Sequence, residues 1–251
     1  MSPIEAVWAW LTDPDSWQKT LGVPGIPTRI AEHLAITGWA ILFAVVLAVP
    51  LGIFIGHTGH GGFLVVGVAN AFRALPELGL VTLIALAVGV ALATQAVIIV
   101  LVALAIPPLL AGTYAGIRNV DSDVVDAARG MGMRERDVIW RIELPIALPL
   151  MFGGLRAATL QVIATATIAA FVGVGGLGRF IIDGQKRGGI EGYATMAGGA
   201  ILIAALAILV ELLLAGIQRL AVSPGLRTPT VSRRVMRVRT RPVEVPEHAI
   251  S

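Results

Sequence analysis

The sequence predicts an all-α integral membrane protein with about five membrane-spanning helices, and three observations predict it. Hydrophobic residues make up 56% of the 251-residue chain and charged residues only 14%, with a mean hydropathy of +0.84. A soluble globular domain carries about 25% charged residues. The apolar residues are gathered into long runs, and at 1.5 Å per residue the first of these, from about Leu34 to Gly56, covers roughly 35 Å, more than the ~30 Å core of a bilayer. One polar stretch, 118–145, separates the runs and has a helical pattern of its own. The chain contains no cysteine, which excludes disulfides and cysteine-ligated metals.

Taken in order, residues 1–33 form a segment outside the spans, 34–218 the membrane domain, and 219–251 a basic tail. The N-terminus lacks the basic start of a secretion signal and carries Glu5, Asp13 and Asp15. Trp8, Trp10 and Trp17 suit a segment resting at the membrane interface, and a partly disordered tail is the open alternative. After the first span, Gly59 to Leu75 is glycine-rich and then interrupted, which predicts a short surface helix. A second span is expected from about Pro76 to Ala93 and a third from about Gln95 to Thr113. Pro107 and Pro108 should kink the third and free backbone carbonyls. A fourth span is expected from about Leu150 to Val172 and a fifth from about Tyr193 to Leu214.

Sidedness follows from the basic residues. With the 118–145 loop inside, fourteen arginines lie inside and five basic residues outside, which places the N-terminus out and the C-terminus in. The tail holds five arginines between Arg233 and Arg241. It reads as a positive-inside anchor, with binding of anionic lipid headgroups as the other reading.

The polar loop carries the strongest functional signal. Asp121, Ser122 and Asp123 supply capping side chains and acids for a helix beginning near Val124, and Gly132 is suited to the left-handed turn that ends it. Val124, Ala128 and Met131 recur at i, i+4 and i+7, one face of a helix short enough to dock in a partner's groove. A second helix then carries Val138, Ile139 and Ile142, and Pro145 is expected to break it and turn the chain toward the membrane.

Other local features yield little chemistry. Gly173-Val174-Gly175-Gly176-Leu177-Gly178 satisfies G-x-G-x-x-G, but it follows a membrane helix rather than a strand, so a tight turn is expected and not a dinucleotide site. His57 and His60 are expected in a glycine-rich surface turn rather than on a metal. The two lysines, Lys19 and Lys186, each follow Gln, so there is no phosphate loop and no ATP site of that kind. Nor is there an HExxH, a Ser-His-Asp set or a carboxylate cluster within the spans. Glu77 is expected on the inner side, paired with Arg73, while Arg156 and Glu211 are expected as paired or snorkelling charges near an interface. Gln161 and Thr165, one turn apart, either line a pathway or bond between helices.

The loop resembles the EAA loop of the membrane subunits of bacterial ABC importers. The resemblance rests on Asp126, Ala127, Ala128 and Gly132, followed after nine residues by Ile142, Leu144 and Pro145, with Asp126 where the family more often has Glu. The runs RALPELGL (Arg73 to Leu80), GMGM within Asp126 to Met133, IELPIALP and FVGVGGLG extend the resemblance to permeases of the glycine betaine, carnitine, choline and proline betaine family. Glu77 departs from that family's usual small polar residue, and the first thirty residues and the tail lie outside the match.

The resemblance implies a type I importer permease of the bacterial cytoplasmic membrane, without enzymatic activity or a cofactor of its own. ATP and Mg would sit on two partner ATPase subunits. A second permease subunit, identical or similar, and an extracytoplasmic substrate-binding protein are implied as the other partners, with membrane lipid around the spans and no nucleic acid. Asp126 to Met133 would be the coupling helix, using Ala127, Ala128, Met131 and Gly132, with Arg134 or Arg136 reaching partner carboxylates. Pro76, Glu77, Pro107, Gln161 and Thr165 are the expected pathway residues. A permease for another small substrate such as methionine, and a stand-alone channel, are the competing readings.

Overall fold

The computed structural model describes residues 2–18, 24–63, 65, 67, 71, 76–223 and 225. Most of the expected surface helix between Gly59 and Leu75, including Arg73, and nearly all of the basic tail lie outside the described residues. The regular elements among those described are all helices. Two short helices, α1 (Pro3–Thr12) and α2 (Pro14–Trp17), precede the long α3 (Ile26–Thr58). Then come α4 (Glu77–Val88), a short 3-10 turn (Val90–Leu92), α5 (Ala93–Arg118) and the loop helix α6 (Ser122–Gly130). The next helical stretch, α7 (Glu135–Val172), is followed by α8 (Gly178–Arg187) and α9 (Gly189–Ala221).

Four of these, α3, α5, α7 and α9, are long and apolar enough to cross a bilayer. The expected second span is shorter than the sequence suggested. Gly89, with φ +84°, ends α4 after 12 residues, or about 18 Å of helix. The chain nevertheless crosses between Thr58 and Ala93, because α3 and α5 run parallel: Gly52 lies against Thr113 and Gly56 against Ile117. Both helices therefore finish at the end of the bundle that carries the 118–145 loop, here the loop end, and both begin at the far end.

The core is built by glycine-mediated approach around α5. Its most apolar stretch is 56% buried, against 6% for α9, so α5 is central and α9 peripheral. A Cβ on Gly112 would lie 2.7 Å from the Cα of Gly154, and one on Gly116 would lie 2.8 Å from the carbonyl oxygen of Ala147. These contacts set α5 and α7 antiparallel with their backbones nearly touching. Small residues supply most of helix association inside a membrane, where apolar burial offers little gain over lipid. Val97, Val100, Leu101, Leu104 and Leu109 of α5 pack with Ala40, Ala44 and Ala48 of α3 and with Ala158 and Val162 of α7.

Pro145 acts differently from expectation. α5 remains one helix through Pro107 and Pro108. Pro145 does not break a helix either: α7 runs on through it, and the backbone widens into a π turn over Ile139–Glu143 just before it. There the Leu144 amide donates to the Ile139 carbonyl, five residues back. Inserting one residue into the turn is a common way for a helix to adjust its hydrogen bonding beside a residue that lacks an N–H. The fourth span consequently starts not at Leu150 but as a continuation of the loop itself, and the last long helix exceeds the expected Tyr193 to Leu214 at both ends.

The far end is closed by α1, α8 and the glycine turn. Trp10 of α1 sits edge-on to Phe180 of α8 at 5.1 Å, over the notch left by Gly198 and Gly199 of α9. The GVGGLG segment is the tight turn expected, with Gly173 at φ +83° and Gly176 at φ +102°. Gly176 donates its amide to Glu32 at 2.8 Å, which ties the turn to the start of α3.

Candidate functional site: the loop that leaves the bundle

Residues 118–145 form a small module standing on the ends of α3, α5 and α7. Asp121 caps α6, its carboxylate accepting from the Asp123 amide at 2.9 Å. The helix ends at Gly130, and Gly132 takes φ +84° to reverse the chain. An L-residue there would be strained by its backbone alone, since nothing lies within 4 Å of a Cβ at Gly132.

The buried face of α6 is not the one expected. Val125 and Ala128 are buried and pack with Val138, with Val120, Met133 and Ile142 around them. Val124 and Met131 are exposed, by 43% and 77%, together with Ala127 and Asp126. The Val124, Ala128, Met131 series was assigned one turn face, but Ala128 points back into the module while its two companions face outward. The small cluster backs the helix as a ledge and leaves Val124, Ala127 and Met131 as an apolar outer edge without a partner among the described residues. Leu144 and Pro145 are half-buried at the root of α7.

Charges frame that edge. Arg129 donates from Nε to Glu135 at 2.9 Å and from Nη1 to Asp126 at 3.3 Å. The hydrogen bond that it donates to Glu135 is the main reason that the Arg129 guanidinium holds its proton even more firmly than usual. Arg134 and Arg136 are exposed and, with Asp137, Trp140 and Arg141, line an open recess of about 570 Å³ beside the ledge. Trp140 is 61% exposed and adds an apolar surface that the sequence reading had not singled out.

The module is also fastened to the first long helix. His57, in the last turn of α3, places Nδ1 2.8 Å from Glu143 Oε2 and 3.0 Å from Oε1, with Nε2 3.2 Å from Glu135 Oε2. Glu143 is buried, with only 5% of its surface exposed. The expectation that His57 sits in a surface turn is thus overturned: it is half-buried and bridges two elements. His60 stays local, with Nδ1 2.8 Å from the Thr58 carbonyl. Among the described residues there is no group of three or more His, Asp and Glu placed to hold a metal ion. Glu143 had a legible signal, because a carboxylate between the apolar Ile142 and Leu144 requires a partner when buried. Its partner lies 86 residues away and was not legible.

The expected pathway residues are dispersed. Thr165 is buried and donates to Glu77 Oε2 at 2.9 Å, so these two meet. Thr165 lies about 30 Å along the helix from Pro145, so Glu77 is in the far half of the bundle and not at the loop side where it was expected. Gln161 is half-buried one turn before Thr165, Pro107 is buried within α5, and Pro76 is exposed at the start of α4. Arg156 and Glu211 pair with each other across α7 and α9, and Arg156 also donates to Gln218 at 2.9 Å.

Such a bundle, with a rigid charged ledge projecting from one end, matches a known architecture. Residues 48–227 match the family described as binding-protein-dependent transport system inner membrane component. The chain belongs to that family. It is 35% identical over 188 residues to the carnitine transport permease protein OpuCD of Listeria monocytogenes serotype 1/2a, covering 75% of this chain and 82% of that one. It is 32% identical to the choline transport system permease protein OpuBB of Bacillus subtilis, covering 78% and 88%. A chain of the inward-facing MetNI methionine ABC transporter shares the fold, with a TM-score of 0.68 at 21% identity over 79% of this chain and 96% of that one. The protein is therefore a multi-pass permease subunit with the type I importer fold, a component of a transport system.

Proposed function

We propose that this permease forms the translocation pathway of an ATP-driven importer for quaternary-ammonium osmoprotectants such as choline, carnitine and glycine betaine. The similarity to permeases named for carnitine and choline supports that substrate class. Similarity to the methionine transporter extends to the fold alone. On this reading α6 is the coupling helix. The observation that carries it is the ledge whose outer edge, Val124, Ala127 and Met131, is apolar, exposed and rigidly backed.

That edge seats in a groove of an ATPase subunit carrying ATP and Mg, and Arg134 and Arg136 meet carboxylates beside the groove. A second permease subunit completes the channel, and an extracytoplasmic binding protein delivers substrate at the far end. The loop end then faces the cytoplasm, with the N-terminus outside and the basic tail inside. Ledge movement passes along α7, which is continuous with the loop, and along α5, against which α7 packs backbone to backbone.

The test is uptake by proteoliposomes containing the permease with its co-purified ATPase. ATP-dependent uptake of radiolabelled choline or glycine betaine, undiminished by excess methionine, is the expected result. Methionine uptake, or flux of choline without any ATPase, would overturn it.

A further inference from the structure

We propose that His57 and Glu143 form a charge clasp that fixes the coupling module to α3, and that His57 is a positioning residue for transmission of ATPase motion into the bundle. This rests on the coupling reading of α6. In chain connectivity the ledge belongs to α5 and α7, and among the described residues the His57 side chain joins the first long helix to it.

Both nitrogens of its ring meet acids. Nδ1 contacts both oxygens of Glu143, at 3.0 and 2.8 Å, and Nε2 lies 3.2 Å from Glu135. Glu135 continues to Arg129 at 2.9 Å, and Arg129 to Asp126 at 3.3 Å on the outward side of α6. A connected series of side chains thus runs from the interior end of α3 to the surface that meets the ATPase. Glu143 occupies the variable position between Ile142 and Leu144 of the loop pattern and lies in the π turn where the loop becomes α7. The clasp therefore holds α3 at the hinge through which α7 would move.

An imidazole donates from both nitrogens only as the imidazolium, while a carboxylate accepts and does not donate unless protonated. Charged or titratable groups from every packed element enter the balance. Glu143 and Glu135 face the ring from α7, and Arg129 from α6 acts through Glu135. Arg118 at the end of α5 lies against Gly59, and the Tyr114 hydroxyl lies against Gly62. With Glu143 buried, its carboxylate has little solvent to compensate a lost partner.

The experiment uses the full importer, permease and ATPase together in proteoliposomes, and measures substrate imported per ATP hydrolysed. His57→Ala should lower this ratio roughly tenfold while the ATPase still co-purifies. His57→Arg, which keeps a permanent charge and several donors toward the two acids, should restore the ratio. Should His57→Ala fail to accumulate, His57→Arg and Glu143→Gln supply the same reading, since Glu143→Gln should also lower the ratio. A wild-type ratio in His57→Ala, or a ratio in His57→Arg as low as that of His57→Ala, would overturn the clasp. An ATPase that fails to co-purify with the wild type would overturn the coupling reading itself, which separates the two failures.

Discussion

The α3 helix is pinned to α7 at both ends by a histidine, and the two junctions differ in kind. At the far end His33 is fully buried and donates from Nε2 to the backbone carbonyl of Ile163 at 3.0 Å. Its neighbour Glu32 accepts the backbone amide of Gly176 at 2.8 Å and an Arg29 guanidinium hydrogen bond at 2.9 Å. At the loop end His57 meets only side chains, and both of its partners are acids. Bonds to backbone within a buried turn have one geometry and leave with the fold. Bonds between long side chains can break and re-form while each helix stays intact. The far end is therefore built as a fixed joint, and the loop end as one that is able to move.

That contrast can be tested from the far end first. Gly178→Val should have the largest effect, because its Cβ would overlap the Thr167 carbonyl, backbone that cannot move aside. A loss of about 3 kcal/mol is expected from such overpacking, visible as little folded protein recovered from membranes and a lowered thermal midpoint in detergent. His33→Ala should cost about 2 kcal/mol by leaving the Ile163 carbonyl buried and unpaired. Its thermal midpoint in detergent should drop, whereas His57→Ala should instead lower substrate imported per ATP hydrolysed.

At the loop end the expected losses move from stability to coupling. Gly132→Val meets no neighbouring atom, so its cost is the left-handed backbone alone, about 1–2 kcal/mol. Insertion should persist while ATP-driven uptake is lost, and normal uptake in this variant would count against α6 as the coupling helix. Arg129→Ala should have the smallest effect. The pair with Glu135 is exposed, and an unchanged thermal midpoint with a modest fall in substrate imported per ATP is expected. A large drop in midpoint would mean that the loop end is as rigid a joint as the far end.

Read from the residues alone, the membrane class, the long apolar helices, the glycine turn at 173–178 and the capped loop helix with its reversal at Gly132 were all legible. Each depends on local properties: hydrophobic length, capping chemistry and the freedom of glycine at positive φ. What the sequence could not decide was set by the backbone geometry at particular turns and by neighbours elsewhere in the chain. Val125 rather than Val124 faces inward because Val138 and Ile142 lie beneath it. α4 stops short because Gly89 turns the chain there. Pro145 continues a helix because the preceding turn widens to admit it. Glu77 finds Thr165 in the far half of the bundle, and His57 finds Glu143 at the loop. A buried charge announces in sequence that it needs a partner, but only the packing of parallel α3 and α5 against antiparallel α7 decides which partner comes within reach.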